Sequence, residues 1–239
     1  MSIQMTFQRY EMKYLLRPGQ KTALLEAMEP YMELDAYGRT VIRNIYFDTE
    51  NFRLIRRSLE RPAYKEKLRL RSYRRNQPEE PVFVELKKKY KSVVYKRRML
   101  LPEAQAMECL REQKAFPVRS QIADEIGYFC RHYRGLRPSV FLSYEREAYR
   151  MRGEGDFRLT FDENILSRSE GFSFAEGLSG TPLLERGTSL MEIKTSGGIP
   201  LWMVSCLTEN KIYKTSFSKY GAAYRKTMWS GLQGGSLHA

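Results

Sequence analysis

Three cations alternate with two leucines in the stretch YKEKLRLRSY. Lys67, Arg69 and Arg71 occupy alternate positions, and Leu68 and Leu70 lie between them. Because successive side chains of a β-strand point to opposite faces, this spacing predicts a half-buried strand with one cationic face. Arginine binds phosphate oxygens with a two-pronged fork and lysine binds them as a point charge, so such a face is suited to phosphate. For this segment alone, a solvated strand face remains the alternative.

In the other predicted strands, the same alternation places further charged side chains on one side of the sheet. The cations of this charged side are Lys13, Lys87, Lys96, Arg98, Arg146, Arg158 and Lys194. The opposite side is largely apolar and is expected to lie beneath helices, as for Val82, Val84 and Leu86. With its apolar side covered, the sheet is expected to curl around its charged side as a tunnel. Crowded like charges in such a space repel one another, so they call for a bound polyanion.

Carboxylates also occur on the charged side, where they would repel phosphate by themselves. Glu11, Glu85 and Glu192 are therefore candidate ligands of a hard divalent cation, Mn²⁺ or Mg²⁺, that bridges to phosphate oxygens. Asp162 is a further candidate. For each of these carboxylates an ion pair with a neighbouring lysine or arginine remains the alternative.

The order of predicted elements indicates an α+β domain built on an antiparallel, closed or nearly closed sheet of about eight strands. Strands are predicted at about 5–15, 41–47, 64–74, 81–90, 92–101, 139–150, 156–163 and 189–195. Helices are predicted at about 18–33, 51–59, 102–114, 118–134, 200–209 and 216–228. No linker composition interrupts the chain, so residues 1–229 are expected to form a single domain, followed by a flexible tail at 230–239.

Composition restricts the partners and the chemistry. A formal net charge of +13 over 239 residues favours a polyanion: nucleic acid, an anionic membrane or polyphosphate. No apolar run is long enough for a transmembrane segment, and three widely spaced cysteines are typical of reduced thiols, so a cytoplasmic protein is expected. With only two histidines and no glycine-rich phosphate loop, a Ser-His-Asp site, a zinc site or a P-loop is not indicated.

The ordered segments RYEMKYLL, NIYFDTENFRLIRRSLE, AYKEKLRLRSY, VFVELKKK, VVYKRR, RLTFDENI, LMEIKTSGGIP and SFSKYGAAY resemble the VTC domain. This domain is the polyphosphate-polymerase branch of the triphosphate tunnel metalloenzymes, and the resemblance spans roughly residues 5–225. It implies an eight-stranded antiparallel tunnel with helices outside and at its ends. It also implies that the γ-phosphoryl group of ATP, or of another nucleoside triphosphate, is transferred to a growing polyphosphate chain.

The resemblance assigns roles to particular positions of this sequence. It places the reaction at Lys13, Arg69, Arg71, Lys87, Arg146, Arg158 and Lys219, the last presented by a C-terminal helix at the tunnel mouth. Lys96 matches the next basic strand, with Arg98 as its alternative, and Glu192 matches the metal-binding glutamate. Lys67 and Lys194 are expected to bind phosphate because they share the charged side.

Three other functions remain open. Water in place of the phosphate acceptor would give an NTP or tripolyphosphate phosphohydrolase in the same tunnel. A binder of polyphosphate or inositol phosphate would bind without turnover. A nucleic-acid module would place its cations on an outer face with stacking aromatic side chains. The alternation of charges along strands disfavours this last function, so no specific nucleic-acid partner is expected.

Overall fold

The computed structural model describes residues 10–91, 93–153 and 155–228, and every structural statement below applies to them. The strands are β1 (Tyr10–Leu16), β2 (Met32–Leu34), β3 (Thr40–Asp48), β4 (Tyr64–Ser72), β5 (Pro81–Tyr90), β6 (Val93–Pro102), β7 (Arg137–Met151), β8 (Arg158–Arg168), β9 (Thr181–Pro182), β10 (Ser189–Thr195) and β11 (Lys214–Thr215). The helices are α1 (Pro18–Met28), α2 (Arg53–Leu59), α3 (Glu103–Glu112), α4 (Gln121–His132), α5 (Leu201–Glu209) and α6 (Lys219–Ala223), which continues as a π-helical turn (Tyr224–Met228).

The predicted fold class is confirmed: helices accompany one large antiparallel sheet. Eight of the strands have seven or more residues, and they coincide with the eight predicted strands. The other three strands, β2, β9 and β11, have two or three residues each. The predicted tail at 230–239 and the first residues of the strand predicted at 5–15 lie outside the described residues.

The chain divides into two compact units. The first unit comprises the chain up to residue 41 together with residues 144–165 and 184–217, and its strand order is β11-β1-β10-β8-β7. The second unit comprises residues 42–143, 166–183 and the chain from 218 onward, and its order is β7-β3-β4-β5-β6. The long strand β7 contributes residues to both units.

The strand order has two ends, β11 and β6. Hydrogen bonding among the described residues therefore leaves the sheet open, and closure into a barrel stays a prediction. None of the helices in the described ranges is long and apolar enough to span a membrane.

The hydrophobic core of the second unit lies between the sheet and helices α3 and α4. Its side chains from the sheet include Leu68, Leu70, Val82, Val84 and Leu86, all fully buried. They pack in one cluster with apolar side chains of the two helices, namely Ala106, Leu110, Ala123, Ile126 and Phe129. Burial of each leucine contributes about 1.5–3 kcal/mol. The predicted sidedness of β4 and β5 is thus confirmed, with the leucines and valines beneath helices.

The first unit has a separate core in which β1 packs against helices α1 and α5. Tyr14 and Leu16 are buried on one face of β1. They cluster with Leu24 of α1 and with Met203 and Cys206 of α5. Lys13 and Glu11 occupy the other face of β1, as the alternation predicts.

The helix predicted at 18–33 is wrong in its last five residues. α1 ends at Met28, and β2 follows and pairs with β7. Pro30 has no backbone N–H with which to continue the helical hydrogen bonds, which explains why the helix ends just before it. The helix predicted at 216–228 begins only at Lys219, where the Ser218 hydroxyl accepts a hydrogen bond from the Gly221 N–H.

Truncation of a core leucine tests this sidedness. Leu86→Ala removes a side chain with no exposed surface and should lower the free energy of unfolding by about 2–5 kcal/mol. The matched control is Leu100→Ala on β6, where the side chain is 51% exposed, and its cost should stay below about 1 kcal/mol. Urea denaturation of the two variants measures the difference, and equal costs would contradict the assignment of the buried face.

Candidate functional site

The charged side of β4, β5 and β6 forms a basic face in the second unit. We use this name for Lys65, Lys67, Arg69, Arg71, Glu85, Lys87, Lys89, Lys96 and Arg98. Lys67, Lys87 and Lys96 lie directly opposite one another across the three strands. The structure thus brings together the predicted residues of these strands. It adds Lys65 and Lys89, which the sequence analysis missed although strand alternation alone places them on this face.

The single carboxylate of the basic face, Glu85, is an ion-pair centre. Its Oε2 accepts hydrogen bonds from Arg69 Nε at 2.9 Å and Nη2 at 2.7 Å, and its Oε1 lies 2.6 Å from Lys96 Nζ. Arg71 Nε is 3.7 Å from Oε2. Glu85 is only 1% exposed, and burial raises its pKa, but the charges of Arg69, Arg71 and Lys96 outweigh burial and lower the pKa to about 2. These contacts favour the ion-pair alternative for Glu85 over a metal role.

Two side chains of β3 orient the arginines, and the sequence analysis missed both. Tyr46 accepts a hydrogen bond from Arg69 Nη1 at 2.8 Å, and Asn44 Oδ1 accepts one from Arg71 Nε at 2.9 Å. Burial raises the pKa of Tyr46, but the charges of Arg69, Lys67 and Arg71 outweigh it and lower the pKa to about 8. Asn44 and Tyr46 are two residues apart, so alternation along β3 was the available signal.

Helix α6, which carries Lys219, is anchored by the residues on either side of that lysine. Lys67 Nζ donates a hydrogen bond to the Ser218 hydroxyl at 3.0 Å. The Tyr220 hydroxyl donates to Asp48 Oδ2 at 2.8 Å, and its ring stacks on Tyr46 with 4.9 Å between centroids. Lys219 itself is half-buried. The predicted C-terminal helix is therefore tied to β3 and β4 within the second unit.

The first unit carries the other predicted side chains on β1, β8, β10 and the second half of β7, and here acids and bases alternate. Lys13 Nζ lies 3.5 Å from Glu11 Oε1 and 3.9 Å from Glu192 Oε2. It also donates to the Phe217 carbonyl at 3.1 Å. The other oxygen of Glu192, Oε1, is 2.7 Å from Lys194 Nζ. Two carboxylates of the predicted metal set thus converge on one ammonium group.

The two predicted site arginines of this unit, Arg146 and Arg158, differ in their surroundings. Arg146 forms a two-pronged pair with the fully buried Asp162, with Nε–Oδ1 at 2.6 Å and Nη2–Oδ2 at 2.7 Å. Burial lowers the pKa of Arg146, but nearby negative groups, Asp162 among them, outweigh it, so the net shift is upward. Arg158 is exposed and lies opposite Lys194 in the strand register. The carboxylate of Asp162 is thus ion-paired with Arg146.

A metal ion would need oxygen ligands that are close together. Within the described residues, no three His, Cys, Asp or Glu side chains form a group that could hold one. Mg²⁺ is commonly bound by one or two carboxylates, with water and substrate phosphates completing its shell. Glu11 and Glu192 meet that smaller requirement because an oxygen of each lies near one point, at 3.5 and 3.9 Å from Lys13 Nζ. These residues fit a divalent ion that binds together with a phosphate substrate.

Removal of the Glu85 charge should have a pH-dependent cost. A carboxylate with a lowered pKa stabilises the folded protein above its ordinary value of 4.5, and this stabilisation is lost as pH falls toward about 2. Glu85→Gln should therefore lower the free energy of unfolding at neutral pH by about 3 kcal/mol. Urea denaturation across this range should show the difference between parent and variant shrinking as pH falls. A difference that does not vary with pH would contradict the ion-pair role.

Tyr46 should report on anion binding. The pKa of its phenol is about 8, below the ordinary tyrosine value of 10.0, so we expect the first tyrosinate absorbance step to come from Tyr46. Added tripolyphosphate should shift this step to higher pH because a bound anion offsets the charges that lower the pKa. Tyr46→Phe should remove the step. A step that persists in this variant would assign it to another tyrosine.

Several solved structures share the fold. An adenylate cyclase-like protein from Bacillus halodurans has a TM-score of 0.55 and 17% identity, over 92% of this chain and 99% of that chain. An adenylyl cyclase-like protein from Hippeastrum with a dominant triphosphatase activity has a TM-score of 0.54 and 18% identity, over 90% and 94%. One from Vibrio parahaemolyticus has a TM-score of 0.51 and 12% identity, over 91% and 98%. At these identities the likeness shows the fold alone.

The family follows from the sequence. No curated protein matches this chain. The family model of the VTC domain matches residues 8–228, which is nearly the whole chain. The strands that carry the basic face and the strands that carry Glu11, Arg146 and Glu192 all lie inside the matched range. The chain therefore belongs to the VTC domain family.

Proposed function

We propose that this protein is a metal-dependent polyphosphate polymerase that transfers the γ-phosphoryl group of ATP to a growing polyphosphate chain. The observation that carries the proposal is the row of Lys67, Lys87 and Lys96 across three neighbouring strands. Membership of the VTC domain family supports the same substrate class. ATP or another nucleoside triphosphate is the proposed donor, and polyphosphate is the proposed acceptor and product.

The charge balance of the basic face favours a linear polyanion. Like charges directly opposite one another on neighbouring strands destabilise a sheet. Glu85 compensates Arg69 and Lys96, but the face holds eight cations for this one carboxylate: Lys65, Lys67, Arg69, Arg71, Lys87, Lys89, Lys96 and Arg98. A chain of phosphates supplies negative charge at regular intervals along the strands, which offsets the repulsion at several positions together.

The proposed transfer needs positioning and charge neutralisation more than a side-chain nucleophile. The bond between the γ-phosphorus and the β–γ bridging oxygen breaks, and its electron pair leaves with ADP. A terminal oxygen of the acceptor chain forms the new bond to phosphorus. That oxygen is already ionised, so the step requires no general base. Arg69 and Arg71 are held by Glu85 and Asn44, which fixes their guanidinium groups before the substrate arrives.

Glu11 and Glu192 are the proposed ligands of Mn²⁺ or Mg²⁺. A bound divalent ion supplies charge neutralisation at phosphate oxygens. Lys13 lies against both carboxylates and holds them together. Lys194 and Arg158 lie on neighbouring strands of the same unit, where they are proposed to bind phosphate oxygens. Arg146 is proposed to do the same, and its pairing with Asp162 fixes its orientation.

Hydrolysis is the second candidate function. It is favoured by the dominant triphosphatase activity of the Hippeastrum protein that shares the fold. Water would then take the place of the acceptor oxygen and release one proton for each phosphate formed. The same cations would serve both reactions, so the products must separate the two.

Product analysis separates polymerase from phosphohydrolase. Purified protein incubated with ATP and Mn²⁺ should yield ADP and long chains that stain for polyphosphate on a gel. Orthophosphate without chains would identify a phosphohydrolase. The absence of turnover, with tripolyphosphate still bound, would identify a binding module.

Glu192→Gln tests the metal role. The substitution keeps the shape of the side chain and removes its charge, so turnover should fall by about a hundredfold or more while the fold is retained. Glu163→Gln is the matched control, because Glu163 is also on the sheet of the first unit but pairs with Lys21 of α1. Turnover in Glu192→Gln equal to that of the control would remove Glu192 from the metal site.

A further inference from the structure

We infer that Lys65 and Lys89 form a subsite for phosphates beyond the length of a triphosphate, and thus make binding depend on chain length. We call these two residues the outer lysine pair. The inference rests on the proposed function, because it assigns a further part of the polyphosphate chain to the same basic face. Neither residue belongs to the predicted set of phosphate-binding side chains.

The first observation is the position of the outer lysine pair. Lys65 and Lys89 lie directly opposite each other on β4 and β5. They occupy the same alternate positions as Lys67 and Lys87, so they continue the basic face by one further row. Along β4 the cations run from Arg71 to Lys65, six residues or about 20 Å at the rise of an extended strand. A single triphosphate is shorter than this row, whereas a polyphosphate chain can follow its whole length.

The second observation is the composition of the outermost row. The residue opposite Lys89 on β6 is Val94, so by strand register this row adds two lysines to the basic face. The one carboxylate of the face, Glu85, lies two rows away and is bound by Arg69 and Lys96. Both members of the outer lysine pair are half-buried, and water screens a charge contact at such a position less than at a fully solvated one. A phosphate oxygen beside these two lysines would therefore be bound favourably.

The third observation is where α6 meets the face. Lys67 donates to the hydroxyl of Ser218, the residue before Lys219, so the start of α6 lies at the row of Lys67. The outer lysine pair lies one row beyond that contact along β4 and β5. A phosphate chain bound near Lys67 that extends toward Lys65 therefore reaches a second basic position. A chain longer than a triphosphate can occupy both.

Binding of two ligands of different length tests the inference. The probes are tripolyphosphate and long-chain polyphosphate, each titrated by calorimetry at one fixed ionic strength without ATP. The variant Lys65→Ala/Lys89→Ala should lose roughly tenfold or more in affinity for the long chain, because charge-assisted contacts are removed. Its affinity for tripolyphosphate should stay within about twofold of the parent, because the inner rows are intact.

A matched control comes from the neighbouring position. Lys88 precedes Lys89 and carries the same charge, but it points to the other side of β5, opposite Glu66 and Tyr95. Lys88→Ala should bind both ligands as the parent does. Lys65→Arg/Lys89→Arg keeps both charges and should retain long-chain binding, which separates loss of charge from any loss of folding.

The outcomes distinguish this inference from the proposed function. Equal losses for both ligands in Lys65→Ala/Lys89→Ala, or no loss for either, would overturn the inference and leave the proposed function standing. A loss in Lys88→Ala as large as in the pair would show an effect of net charge and would also overturn it. A parent protein that binds neither ligand would overturn the proposed function and the inference together.

Discussion

The buried carboxylate of Glu85 is the counter-charge on which the basic face depends. Its two oxygens contact Arg69 and Lys96, and a third cation, Arg71, lies slightly farther away. Attraction of this strength keeps Glu85 ionised far below its ordinary pKa despite its burial. An unpaired buried charge is costly, so the cations hold the acid in place and the acid holds the cations together. The sequence analysis expected the crowded cations to require a bound polyanion. In the structure, Glu85 already offsets part of this positive charge from within the sheet.

The two units use the same principle with different charge ratios. In the first unit each candidate carboxylate has a cationic neighbour: Glu11 and Glu192 lie beside Lys13, and Asp162 beside Arg146. On the basic face of the second unit a single acid, Glu85, lies among many cations. An excess of cations favours a phosphate chain, whereas two carboxylates near one point, as Glu11 and Glu192 are, supply oxygen ligands for a divalent ion. The proposed division between phosphate binding and metal binding follows from these ratios.

Contacts between distant parts of the chain fix the details of the basic face. The hydrogen bond from Tyr220 to Asp48 joins residues 172 positions apart. Asp48 also accepts backbone N–H groups at the start of α2, so one carboxylate connects α6, β3 and α2. The ring of Tyr220 then packs on Tyr46, whose hydroxyl holds Arg69. The orientation of an arginine on β4 thus depends on the last described helix.

The sequence by itself determined the positions of the eight long strands, the buried side of β1, β4 and β5, and the family. Alternation along a strand is a local property, so Leu68 and Arg69 reveal their opposite faces without any partner strand. The tertiary structure alone decided which cations share a row, because register is set by pairing between distant segments. It also decided that Glu85 pairs with arginine and lysine, and that Tyr46 has a lowered pKa, since both depend on charges brought together from separate strands. The short strand β2 escaped the sequence for the same reason: its pairing with β7 replaces a helix that local periodicity favoured.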